Sequence, residues 1–163
     1  MITKITTRTS LFLFLMTYIF TLSAQTNVFD DVIATSPNHT YLETALLQEG
    51  LDAALRQNPN CTVFAPDDSA FNNLASALGV TVSGLLALPN LSDILIYHVL
   101  NSTVLSTGIT NGAVVNPLST TNTLKLTKTS SGDVYVNHSQ VSTADLTVDN
   151  GVVHVVNEIL LPY

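Results

Sequence analysis

Apolar positions along the chain change their period near residue 101. In the first half they recur at helical spacing. Residues 27–34 read as a short helical lead-in closed by Pro37. Between 41 and 55 the apolar residues fall at 42, 46, 47, 51, 54 and 55, a helical period with a break at Gly50. The run Cys61-Thr62-Val63-Phe64-Ala65 is β-branched and aromatic and is stopped by Pro66, which predicts a short strand. Asp67 or Asp68 then offers an N-cap oxygen to a helix over 69–78 that ends at Gly79. Thr81 or Ser83 opens another short turn through Leu88. Leu91, Ile94, Leu95, His98 and Val99 fall on one face of a further helix.

After Asn101 the chain is dominated by Thr, Val, Ser and Asn. Turn signals recur at Asn111-Gly112, Asn116-Pro117, Ser131-Gly132-Asp133 and Asn150-Gly151. Between them 124–128, 134–136, 146–148, 152–156 and 159–161 are strand-like. Asn150-Gly151, between two β-branched runs, is the strongest hairpin signal, because both residues tolerate positive φ. No repeat and no linker divides the chain. The fold class is therefore α+β, a single domain over 25–163 with most of its sheet C-terminal.

The first 24 residues stand apart. Lys4 and Arg8 precede an apolar run over 11–22, and the polar stretch from Ser23 follows, the layout of a secretory signal peptide cleaved after Ala24. The run is too short for a permanent membrane anchor. The expected location is thus extracellular, or the periplasm or cell surface if the source is bacterial. The full chain carries a net −7; without Lys4 and Arg8, 3 basic groups face 12 acidic ones. So few cations cannot neutralise a phosphate backbone, which excludes nucleic acid as a partner. The lone Cys61 allows neither an intrachain disulfide nor a multi-cysteine metal site. Asn-X-Ser/Thr triplets occur at Asn38, Asn60, Asn90, Asn101 and Asn137, too small an excess over chance to argue glycosylation.

Three segments carry a family resemblance together. Residues Thr62-Val63-Phe64-Ala65-Pro66-Asp67-Asp68-Ser69-Ala70-Phe71 resemble the first box of fasciclin domains. Asn150-Gly151-Val152-Val153-His154-Val155-Val156-Asn157-Glu158-Ile159-Leu160-Leu161-Pro162 is similar to the second box, and Ile94-Leu95-Ile96-Tyr97-His98-Val99-Leu100 to the tyrosine–histidine segment between them. Asp67 replaces the usual Thr after Ala-Pro, and Asn157 stands where Asp is common. The resemblance implies a seven-stranded β-wedge flanked by short helices, with Thr62, Phe64, Pro66, Asp67, Asp68, Asn150, Gly151 and His154 as its structural motif. It also implies a secreted adhesion or matrix-binding role. In animal members the Tyr-His segment and Asp-Ile pairs are linked to integrin binding, which makes Asp93, Ile94, Tyr97 and His98 the candidate adhesion contacts.

The residues support a physical reading beside that likeness. Alternation puts Val152, His154 and Val156 on one face of a strand and Val153 and Val155 on the other, so both faces are apolar and His154 is expected to be buried. A buried imidazole needs partners for both nitrogens. The dense polar cluster Asp67-Asp68-Ser69 makes the strand–helix corner around 62–68 the expected partner of a neutral His154. His98 reads as a satisfied core histidine, and Tyr97 points off the apolar face, partly exposed.

Catalysis finds little support. The four histidines lack the spacing of a helical zinc site, and no nucleophile elbow or phosphate-cradling loop occurs. Cys61 sits in an apolar strand as a small hydrophobe. Asp145 and Asp149 read as solvated turn residues, since two carboxylates do not make a calcium site. No cofactor or metal is implied. The expected function is a non-catalytic module binding extracellular matrix, a cell-surface protein or a polysaccharide through one surface face, with self-association adding avidity. The alternative is an extracellular carrier of a small lipophilic ligand such as a carotenoid.

Overall fold

The six residues of β1, Cys61–Pro66, are all buried, and the architecture is arranged around them. The computed structural model describes residues 25–119 and 122–162, and the expected signal peptide lies outside them. After β1 come β2 (Val99–Leu100), β3 (Ala113–Val115), β4 (Leu124–Lys128), β5 (Val134–Val136), β6 (Ser139–Val148) and β7 (Gly151–Val156). They form one seven-stranded sheet in the order β2-β1-β7-β6-β5-β4-β3. Only β1 and β7 pair in parallel, with Phe64 opposite His154; the other pairs are antiparallel.

β1 and β7 lie side by side inside the sheet with packing on both faces, so β7 is as buried as β1. A strand covered on both faces reads as a continuous apolar run, as 152–156 does. One face packs Cys61, Val63, Ala65 and Val153 against the helices α1 (Thr40–Gln48), α2 (Asp52–Gln57), α3 (Asp68–Leu78), α4 (Val82–Leu86) and α5 (Leu91–Tyr97). On the other face Phe64 and Val156 meet Leu124, Leu126, Val134 and Val136 of β4 and β5. The outer strands therefore close over the inner ones, and two register shifts in β6, between Val141 and Leu146, supply the bend.

Local signals account for the helix ends. Gly50, at φ 67°, separates α1 from α2, and Gly79, at φ 69°, closes α3. Thr81 caps α4 by accepting from the Gly84 N–H at 3.1 Å. Of the two aspartates after Pro66, each caps a different helix. Asp67 accepts from the Ala70 N–H of its own helix at 2.8 Å. Asp68 reaches back to α1, accepting from the Tyr41 N–H at 3.0 Å and the Thr40 hydroxyl at 2.6 Å. His39, at the N-cap position of α1, makes no side-chain cap bond of its own.

Several expectations are corrected. The helical lead-in expected over 27–34 is present but wound wider than an α-helix: over Val28–Ile33 it ends with the Ala34 N–H donating to the Phe29 carbonyl at 2.8 Å. The helix expected to include Val99 ends at Tyr97, and Val99 becomes strand because the edge of β1 is free to pair with it. Strand β6 begins at Ser139, seven residues ahead of the expected start, through polar residues that only pairing to β7 and β5 makes strand. Residues 159–161 are not a strand: the Leu160 N–H is spent on the His98 ring. The hairpin expected at Asn150-Gly151 is present, with Val148 paired to Gly151, and it closes without positive φ at either residue. A Cβ at Gly151 would instead collide with the carbonyl oxygen and Sγ of Cys61, so glycine is required for the close approach of β7 to β1.

Candidate functional site

The polar groups of β1, β7 and the turn before β7 face inward and are consumed by the fold. Asn150 holds three segments: its Oδ1 accepts from the Val28 N–H at 2.9 Å, its Nδ2 donates to the Leu55 carbonyl at 2.7 Å, and its own carbonyl accepts from the Cys61 N–H at 3.1 Å. Thr62 donates to the Ser102 carbonyl at 2.6 Å and accepts from the Val104 N–H at 2.9 Å, which pins the loop after β2. Burial holds the Cys61 thiol up at about 11, a hydrophobe rather than a nucleophile.

His154 is 1% exposed and stacks on Phe64, with ring centres 5.7 Å apart. Its partners are not the 62–68 corner. The Asp145 N–H donates to Nδ1 at 3.2 Å, and Nε2 faces the Val104 carbonyl at 2.8 Å. An N–H pointing at Nδ1 leaves the proton on Nε2, which assigns the neutral Nε2–H tautomer. The corner is unavailable because Asp67 and Asp68 are already capping helices. Asp145 reaches His154 from the irregular stretch of β6, in the left-handed region at φ 60°. Its carboxylate accepts from the Ser106 N–H at 2.8 Å and hydroxyl at 2.5 Å. Burial opposes its charge, and the Ser106 bonds outweigh that, so the carboxyl ionises below its ordinary range. Asp145 is thus an internal clamp rather than a solvated turn residue.

The candidate adhesion contacts are placed differently from expectation. Ile94, Tyr97 and His98 are buried, at 6%, 1% and 2% exposure, and only Asp93 faces solvent. Tyr97 is interior because its hydroxyl finds a partner there: it donates to the Thr123 carbonyl at 2.9 Å and lies 3.4 Å from the Asn137 amide. His98 faces the Ile94 carbonyl through Nδ1 at 2.7 Å and accepts the Leu160 N–H on Nε2 at 2.9 Å. This is the neutral Nδ1–H tautomer, and burial lowers its pKa to about 4. The four residues do not make a common surface.

What remains for a partner lies on the outside. A groove of about 660 Å³ runs between β4, the turn at Asn137 and His138, and the segment after β7. Thr127, Lys125 and Glu158 line it beside Ile159 and Leu161. Among the described residues neither the Lys125 ammonium nor the Glu158 carboxylate has a partner. The other two basic side chains among the described residues are engaged. Arg56 bonds Asp30 at 2.9 Å, bonds Asp52 and covers the Phe29 ring, while Lys128 donates to the Ser106 carbonyl at 3.0 Å. Sequence reasoning missed this groove. Lys125 between Leu124 and Leu126 marks an outward face, but the walls come from the 137–138 turn and the C-terminal segment. Among the described residues no three His, Cys, Asp or Glu side chains gather to hold a metal, and no helix is long and apolar enough to cross a membrane.

The sequence profile of the fasciclin domain matches residues 37–162. The chain belongs to the fasciclin domain family. It is 34% identical over 135 residues to Protein sll1483 of Synechocystis, a match covering 81% of this chain and 72% of that protein. It is also 34% identical over 132 residues to the transforming growth factor-beta-induced protein ig-h3 of Sus scrofa, covering 81% of this chain but 19% of the relative. Among solved structures, the FAS1 domain pair of the insect cell adhesion molecule Fasciclin I superposes with a TM-score of 0.69 at 15% identity, over 83% of this chain and 51% of that one. That likeness is one of fold: a single fasciclin domain spans about half of the solved pair and a fifth of ig-h3. The seven-stranded sheet with flanking helices is the fasciclin architecture.

Proposed function

We propose that this fasciclin domain is a secreted, non-catalytic adhesion module that holds an extracellular partner through its outer surface. The observation that carries the reading is the membership itself, together with the likeness of fold to a domain pair from a cell adhesion molecule. The inward commitment of His98, His154 and Asp145 adds to it. Each is bonded within the fold, so the polar residues with chemical potential serve stability. Partners in this reading are matrix components, cell-surface proteins or polysaccharides, and self-association would add avidity to a weak single contact.

The lipophilic-carrier alternative gains nothing from the apolar pocket under the helices. The apolar pocket between α3, α4 and α5, lined by Phe71, Leu74, Leu91, Leu95 and Ile159, offers about 10 Å³. That is roughly the room of one water probe, against the ~300 Å³ or more of a ligand site. The test of the adhesion reading is retention of the purified protein on cell-wall and matrix fractions. Retention above an unrelated acidic secreted protein is expected; none would sink the proposal.

A further inference from the structure

Resting on the adhesion reading, we infer that the groove beside β4 is the contact site and that its ligand is a neutral polysaccharide. The argument begins with charge. The chain carries −7 overall, so a polyanion approaching any face meets net repulsion. Within the groove, however, Lys125 and Glu158 cancel in formal charge, and both are exposed and unpaired. A long-range attraction to an ionic polymer is therefore absent, while short-range hydrogen bonding is strong.

The lining then selects the chemistry. Lys125 offers donors only, Glu158 acceptors only, and the Thr127 hydroxyl and His138 ring either. Sugar hydroxyls both donate and accept, so they match such a mixed set. The half-buried Ile159 and Leu161 supply an aliphatic wall for the C–H face of a pyranose. A peptide fits less well. Peptides dock by adding to a sheet edge or by filling deep apolar pockets. The sheet edges are β2 and β3, neither of which lines the groove.

The groove is also rigidly framed, which limits the entropy lost on binding. The Glu158 N–H donates to the Ser139 hydroxyl at 3.0 Å, and the Leu160 N–H to His98 at 2.9 Å, so the C-terminal wall is fixed to the core. On the opposite side the Asn137 side chain accepts from the Lys125 N–H at 2.9 Å, which holds the turn against β4.

The test is sedimentation of the full secreted protein with insoluble cellulose, chitin and β-1,3-glucan, with polygalacturonate gel as the anionic comparison. Retention on at least one neutral polymer is expected, falling about tenfold or more in K125A/E158A. Both side chains are free of partners, so the variant's melting temperature is expected to stay unchanged, separating lost contact from lost fold. Retention on matrix fractions but on none of the neutral polymers would overturn the groove assignment and leave the adhesion reading standing. Loss of retention everywhere would remove both. Binding only to polygalacturonate, or neutral-polymer binding indifferent to K125A/E158A, would also overturn the inference.

Discussion

The Leu160 N–H donates to Nε2 of His98 at 2.9 Å, across 62 residues, inside the apolar layer that joins α5 to the last segment of the chain. The bond exists only while the ring is neutral, because a protonated imidazole has no acceptor. Burial therefore couples this contact to pH, and its direction follows from the pKa of about 4 against an ordinary 6.5.

Above pH 6.5 the ring is neutral in folded and unfolded chains, and the contact contributes in full. As pH falls from 6.5 toward 4, the unfolded chain takes up a proton that the folded one refuses, and stability declines by on the order of 3 kcal/mol before levelling off. His39, lowered by burial against the opposing charges of Asp67 and Asp68, acts in the same sense. Urea midpoints measured across this range are expected to drop with acidity. In His98→Gln they are expected to start lower and vary less; an unaltered pH slope in that variant would contradict the account.

Gly151→Ala tests the close approach of β7 to β1. The added methyl meets the Cys61 carbonyl, which belongs to a fully buried strand paired on both sides and cannot move aside, so a loss of about 1–3 kcal/mol or more is expected. Gly108→Ala, with nothing within 4 Å of its added carbon, is the matched control and is expected to be near neutral. Equal midpoints for the two variants in chemical denaturation would discount the steric argument.

His154→Ala removes a ring stacked on Phe64 and leaves the Val104 carbonyl and Asp145 N–H without partners. Cavity and unmet polar groups together are expected to cost roughly 3 kcal/mol or more. Nitrogen chemical shifts of the wild-type ring are expected to report the Nε2–H tautomer at neutral pH. Unchanged thermal stability, or the opposite tautomer, would refute the clamp.

The paired aspartates should separate by helix. Asp67→Ala uncaps α3 and Asp68→Ala uncaps α1, each at about 1 kcal/mol. Amide exchange is expected to rise at Ala70 in the first variant and at Tyr41 in the second. Exchange at Tyr41 that does not respond to Asp68→Ala would argue against the tertiary cap.

The thiol of Cys61 makes a simpler forecast. Buried and held at about 11, it is expected to resist a disulfide reagent at pH 8 and to react only on addition of denaturant. Rapid labelling of the native protein would show that β1 opens more readily than its burial implies.

The sequence by itself determined the α+β class, the α1–α2 break at Gly50, the strand Cys61–Pro66 and the family, because each rests on local propensity or on a contiguous motif. It also determined that His98 and His154 need internal partners, since apolar neighbours on both sides leave an imidazole no water. Which partners those are was a tertiary decision. Asp145 and Ser106 are 39 residues apart, and Val104 and His154 are 50 apart, so no spacing rule announces either contact. The same holds for Tyr97, whose inward turn depends on the Thr123 carbonyl, just ahead of β4 and 26 residues away. It holds too for the groove, whose walls meet only when residues after β7 cross the end of the β5–β6 hairpin. Patterning tells a side chain which face it occupies; only the closed sheet supplies the atoms it meets there.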